Sequence, residues 1–185
     1  MKRIFTVSLV SLTAIFLTSC QSNELIKSSP AAGLNGGFET VEEGYPVNWA
    51  FFPNPESSPS LQVVSDSEHV REGQRALKIV IGKPDRIPGF RSRRIPVQSG
   101  RKYTLAMSVR TEGCKLKVNR VVLDASRTKN LRSDTIVDAR DSLPEWKRYE
   151  ETLAVSEDEA YVFLIFLIDG SGTLWCDDIS IEEIT

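Results

Sequence analysis

The 185-residue chain has one histidine, three cysteines and two methionines. A single histidine, His69 in a polar loop, excludes a histidine-rich metal centre and leaves no basis for a Ser/His/Asp triad. No glycine loop of the phosphate-cradling kind is present. A glycosidase needs two carboxyls facing each other across a cleft, one with a raised pKa. Asp177 and Asp178 are adjacent and would point apart on a strand, while Glu157, Asp158 and Glu159 sit together in a polar connection. An excess of one charge is also missing: 23 bases against 25 acids leave −2, which gives no support for nucleic-acid binding. Heptads and internal repeats are absent. The apolar run at residues 4–17 is shorter than the roughly 18 to 20 residues of a membrane-spanning helix. These gaps point away from catalysis and towards binding.

What is present begins with an address. Lys2 and Arg3 precede the apolar run, as in a secretory signal peptide. Leu17-Thr18-Ser19-Cys20 resembles a bacterial lipobox. The resemblance implies loss of residues 1–19, diacylation of Cys20 and attachment to a membrane through buried methylene groups alone. Gln21 stands where an aspartate would signal retention at the inner membrane, so the expected location is the cell envelope, at the outer membrane rather than the inner. Loss of residues 1–19 removes two bases and no acid, taking the formal charge from −2 to −4. Residues 20–34 read as the lipidated cysteine and a Ser-, Pro- and Ala-containing tether. Residues 35–185 are the right size for one domain with a real core.

That domain reads as all-β. Short β-branched or alternating runs fall at 61–64, 76–81, 95–97, 103–109, 116–123, 146–153, 161–168 and 172–181, separated by Gly, Pro and polar turns. The run at 161–168 is apolar almost throughout, and its aromatic and β-branched content predicts a buried strand. Only residues 156–160 look like a helix start, and they are too few to form one. Many short strands at turn-separated intervals predict a β-sandwich or jelly roll.

The stretch Gly172-Thr-Leu-Trp-Cys-Asp-Asp-Ile-Ser-Ile181 carries an anomaly. Strict alternation puts Asp177 on the face of Trp175, Ile179 and Ile181, where a carboxylate needs a cation or several donors. With the first and last strands side by side, Glu39 of Asn35-Gly-Gly-Phe-Glu39 would share a hard, oxygen-loving ion such as Ca²⁺ with Asp177. The ion would tie the two ends of the domain together.

The order of motifs resembles that of CenC-type carbohydrate-binding modules, the grouping of families four and nine. The motifs are Asn35-Gly-Gly-Phe-Glu39, Trp49, Gly73-Gln-Arg-Ala-Leu77, Val97-x-x-Gly100-x-x-Tyr103-x-Leu105, Trp146 and the Gly172–Ile181 segment. The resemblance implies a galactose-binding-like jelly roll, with a structural Ca²⁺ at Glu39 and Asp177. The loop from Asp66 to Gly73 would complete the ion's ligands with backbone oxygens. It also places Trp49 and Trp146 in the core. The function it implies is non-catalytic binding of a polysaccharide or glycan by a membrane-anchored lipoprotein, with cell-envelope enzymes as possible partners. The alternative is a structural or adhesion lipoprotein that keeps the jelly roll without binding sugar.

Such modules stack aromatic faces on the apolar C–H face of a pyranose and catch its hydroxyls with polar groups. Tyr45 and Phe90 are candidates, and the pair Phe51-Phe52 is the strongest, because neighbours on a strand face opposite ways and one of them should be open. Arg110, Lys117 and Asn119 would line a groove suited to an acidic or hydroxyl-rich glycan, or form a solvated polar face. Arg86, Arg91, Arg93, Arg94, Arg101 and Lys102 read either as a surface for an anionic polymer or as charged strand edges. Cys114 and Cys176 are open to pairing in an oxidising compartment.

Overall fold

A computed structural model describes residues 25–26 and 33–185, Pro59 and Asp85 excepted. The signal segment and Cys20 lie outside the described residues. Fourteen strands make up almost all of the regular structure: β1 Leu25–Ile26, β2 Val41–Glu42, β3 Tyr45–Pro46, β4 Trp49–Phe52, β5 Leu61–Asp66, β6 Ala76–Ile81 and β7 Gly89–Ser92 come first. They are followed by β8 Ile95–Pro96, β9 Lys102–Glu112, β10 Lys115–Leu123, β11 Asn130–Ala139, β12 Lys147–Ala154, β13 Tyr161–Asp169 and β14 Gly172–Glu183. A 3₁₀ turn at Pro55–Ser57 is the one helical element among the described residues. The all-β sandwich expected from the sequence is what the chain forms.

The first sheet runs β1-β4-β7-β13-β10-β11, with β8 also on β13; the second runs β12-β9-β14-β6-β5. Chain order and sheet order differ. Strands β9 and β10 follow each other across the Gly113 turn yet belong to opposite sheets.

The core between the sheets is aromatic at one end. Phe90 and Phe166 stack at 4.3 Å, Trp49 packs on both, and Phe38 and Phe51 close the cluster. Such pairs add about 0.5–1.5 kcal/mol each beyond their buried area. The Trp49 indole N–H donates to the Asn35 carbonyl at 3.0 Å, so burying the ring leaves no polar atom unpaired. Trp49 is therefore the core residue the resemblance implied. Trp146 is not: it is half-buried, just ahead of β12 on the sandwich edge, where fewer neighbours cover it.

At the open side of the sandwich, buried Arg120 bridges the layers. From β10 of the first sheet it donates to the Asp134 carboxylate at 2.8 Å and to the Thr152 carbonyl of the second sheet at 3.4 Å. Arg132 binds Glu159 and the Ala154 carbonyl in the same region. Cys114 and Cys176 are both buried and free.

Candidate functional site

The outer face of the first sheet is set by strand register. Along β13 the exposure alternates without a break: Val162, Leu164, Phe166 and Ile168 are 0 % exposed, while Tyr161, Phe163, Ile165 and Leu167 are half-buried on the other side. The apolar run thus forms a strand as expected, but only one of its faces is in the core. The second face is a half-open hydrophobic stripe. Pairing places Asn119 beside Ile165, Lys117 beside Leu167 and Val121 beside Phe163. On the other flank Arg91 lies opposite Ile165 and Gly89 opposite Leu167. Thr135 of β11 donates its hydroxyl to the Asn119 side chain at 2.9 Å.

Phe52 reaches the same face. A side-chain carbon on Gly89 would lie 2.7 Å from the Phe52 ring, so the ring rests on the bare backbone of that glycine. Its neighbour Phe51 points the other way and is 0 % exposed within the aromatic core. Phe52 is thus the half-open member of the pair, and Phe51 cannot touch a ligand. At the far end, the Arg127 guanidinium stacks 4.3 Å from the Tyr161 ring and donates to its hydroxyl at 2.8 Å. At the near end is a cavity of about 350 Å³, with Ile87, Leu167, Lys115 and Lys117 among its walls.

Arg110 is on the opposite side of the molecule. Because β9 and β10 lie in different sheets, Arg110 cannot share a groove with Lys117 and Asn119. It sits over Trp175 at 4.7 Å and pairs with Glu112. Of the proposed ligand residues, then, Phe52, Lys117 and Asn119 come together, while Phe51 and Arg110 fall away. Sequence reasoning missed Tyr161, Phe163, Ile165 and Leu167. Their signal was the lack of alternation in the run, since a strand apolar on both faces needs something to cover each.

Part of the outer face of the second sheet, around Trp175 and Asp177, is covered, and Asp177 explains how. A β-bulge interrupts the β9–β14 ladder between Asp177 and Ser180, with Asp178 at φ +52°. Ahead of the bulge Leu174 and Cys176 point into the core; after it Ile179 does. Asp177 precedes the switch, so it shares the outer face with Trp175 and does not point into the core. The loop between β5 and β6 folds over it. Asp177 Oδ2 accepts the backbone N–H of Arg71 at 2.7 Å and of Glu72 at 3.0 Å, and Oδ1 accepts that of Asp178 at 2.7 Å. Burial pushes the Asp177 carboxyl up, outweighing these donors, and the Asp178 charge adds to the rise.

Glu39 holds the other end of the same loop. Its Oε1 accepts the N–H of Gln74 at 2.6 Å and of Arg75 at 3.1 Å. A side chain on Gly73 (φ +74°) would strike that oxygen at 2.1 Å. The chain ends do meet, through a hydrogen bond from Ile179 N–H to the Gly36 carbonyl at 3.1 Å. But the loop turns N–H groups towards both carboxylates, where an ion would need carbonyl oxygens. In this arrangement Oε1 of Glu39 and both oxygens of Asp177 accept backbone N–H groups, and the two carboxylates act as clamps on the loop.

A third carboxylate completes the cover. Asp66 accepts the N–H of Glu68 and His69, the His69 ring Nδ1 at 3.0 Å and the Trp175 indole at 2.9 Å. Burial alone would raise its pKa, but together these bonds bring it down to about 2. His69 packs 5.2 Å from the Trp175 ring, and Lys78 and Arg110 lie over its faces. Trp175 is sealed and unavailable for stacking.

No protein-family model and no curated protein matches the sequence. Solved structures do match in fold. The enzymatically active domain of bacteriophage CBA120 tailspike protein 4 superposes with a TM-score of 0.64 at 14 % identity; the match covers 84 % of this chain and 22 % of that one. A CBM4 structure matches with a TM-score of 0.54 at 18 % identity, over 81 % of this chain and 98 % of that one. TmCBM61, solved in complex with β-1,4-galactotriose, matches with a TM-score of 0.55 at 20 % identity, over 81 % and 96 %. The chain spans under a quarter of the tailspike domain's length but nearly all of the two binding modules. At these identities the likeness is one of fold: the chain has the jelly roll of carbohydrate-binding modules.

Proposed function

We propose that the protein is a non-catalytic glycan-binding module of the CenC type, with the outer face of the first sheet as its site. The observation that carries this is the stripe Tyr161, Phe163, Ile165 and Leu167, half-open along a central strand and flanked by Asn119, Thr135 and Lys117. Apolar surface beside amide, hydroxyl and ammonium groups matches the two characters of a sugar ring. The fold it shares with carbohydrate-binding modules supports the reading. On the other outer face the β5–β6 loop takes Trp175 out of reach.

In this reading Cys20 carries the lipid that holds the module in the cell envelope, at the outer membrane, where it presents a glycan to neighbouring enzymes. The calcium is replaced by the two-carboxylate clamp on the β5–β6 loop. The test is retention of the full mature chain on a panel of insoluble polysaccharides, xylan and galactan included. Wild type should be retained, and Phe163→Ala should lose at least about tenfold in affinity, equivalent to about 1.4 kcal/mol. Failure of wild type on every polysaccharide would leave the structural or adhesion lipoprotein as the better account.

A further inference from the structure

The cavity at the near end of this face has a chemistry that the rest of the stripe lacks. Its walls combine the apolar side chains of Ile87 and Leu167 with Lys115, Lys117, Asp138, Arg140 and Asp169. Ile87 is 58 % exposed, one of few large apolar side chains left so open. Lys115 and Lys117 are two residues apart on β10, so both ammonium groups project from the outer face, and both are exposed. The acids nearby form no salt bridge with them. Asp138, directly across from Lys117, is engaged by Arg140 through two N–H groups at 3.1 Å. Asp169 lies across the ladder from Lys115. Among the described residues no carboxylate comes within 4.0 Å of either lysine nitrogen.

From this we infer that the cavity takes a sugar residue carrying a carboxylate, so the module's ligand is an acidic glycan. The inference rests on the proposed glycan-binding role of this face and narrows it. The sugar ring lies along Ile87 and Leu167, and its carboxylate lies between Lys115 and Lys117. Two unpaired ammonium groups beside an apolar wall have no structural task in the fold: neither holds a strand, a turn or a carboxylate. Asp138, fixed by Arg140, stands beside Lys117 as an acceptor for sugar hydroxyls.

The experiment compares oligogalacturonides with their fully methyl-esterified forms, using the full mature chain and titration calorimetry. Esterification keeps the ring and removes the charge. The expected result is tenfold or greater preference for the acid form, weakening as salt is raised from 50 to about 300 mM as screening shortens the reach of the lysines. The double variant Lys115→Gln/Lys117→Gln should lose that preference while keeping its melting temperature. Alginate and neutral xylan and galactan complete the panel. Equal binding of acid and ester forms, or a preference for the neutral polysaccharides, would overturn the inference and leave the glycan-binding role intact. No binding of any member by wild type would overturn both.

Discussion

Removing the Asp177 carboxylate would leave the N–H groups of Arg71, Glu72 and Asp178 without acceptors beneath a covering loop. A buried donor so orphaned costs roughly 1–3 kcal/mol, and these three are part-buried, which puts each at the low end. Asp177→Ala should therefore lower stability by about 3 kcal/mol in a denaturant melt, and a chelator should leave the wild-type curve where it was. A fall in melting temperature on chelation, reversed by Ca²⁺, would put the ion back between Glu39 and Asp177. Asp66 adds a pH dependence. Its folded pKa, about 2, is below the ordinary 3.8, so its contribution is fully present above about pH 4 and is lost as the pH falls through 2. The shift corresponds to about 2 kcal/mol. Since Asp66 binds the Trp175 indole, indole fluorescence should change over the same window, and Asp66→Asn should abolish that change. The two free thiols should be inert: burial pushes Cys114 up to about 11 and Cys176 well above its usual value. Neither should react with a thiol reagent until the protein unfolds.

Among the elements, β13 has one face in the core and one half-open, and single substitutions separate them. Phe166→Ala opens a hole in the aromatic core and should cost about 3–5 kcal/mol. Phe163→Ala, three residues away on the half-open face, should cost about 1 kcal/mol of stability while removing binding. Equal melting losses for the two variants would show that the outer stripe is simply more core. How much of this was legible in the sequence also divides by element. The strands themselves were legible, because composition and turn residues are local. Which of Phe51 and Phe52 faces out was not, since alternation gives the relation between neighbours and leaves the absolute side open. The misplacement of Asp177 came from carrying alternation through Asp178, whose left-handed backbone adds a residue to the strand and swaps its faces. Asp tolerates that conformation better than most residues, so the Asp177-Asp178 pair was a faint signal. The grouping of Arg110 with Lys117 and Asn119 failed because sheet membership depends on pairings distant in sequence.

At the scale of the whole molecule, the two outer faces are unlike. On one, a loop that three carboxylates hold down covers Trp175, and the other leaves a hydrophobic stripe open beside polar groups and a cavity of about 350 Å³. If Cys20 is the anchor, Cys20→Ala should leave the protein soluble or unprocessed, and equal membrane partitioning of variant and wild type would end that reading. In the proposed function the open face binds glycan. Amide chemical shifts measured during titration with the oligosaccharide that binds best test it most directly. The account predicts shifts concentrated in β13, β10, β7 and β4, with Trp175 and residues 66–75 unmoved. Shifts centred on the β5–β6 loop, or no shift with any oligosaccharide of the panel, would contradict it.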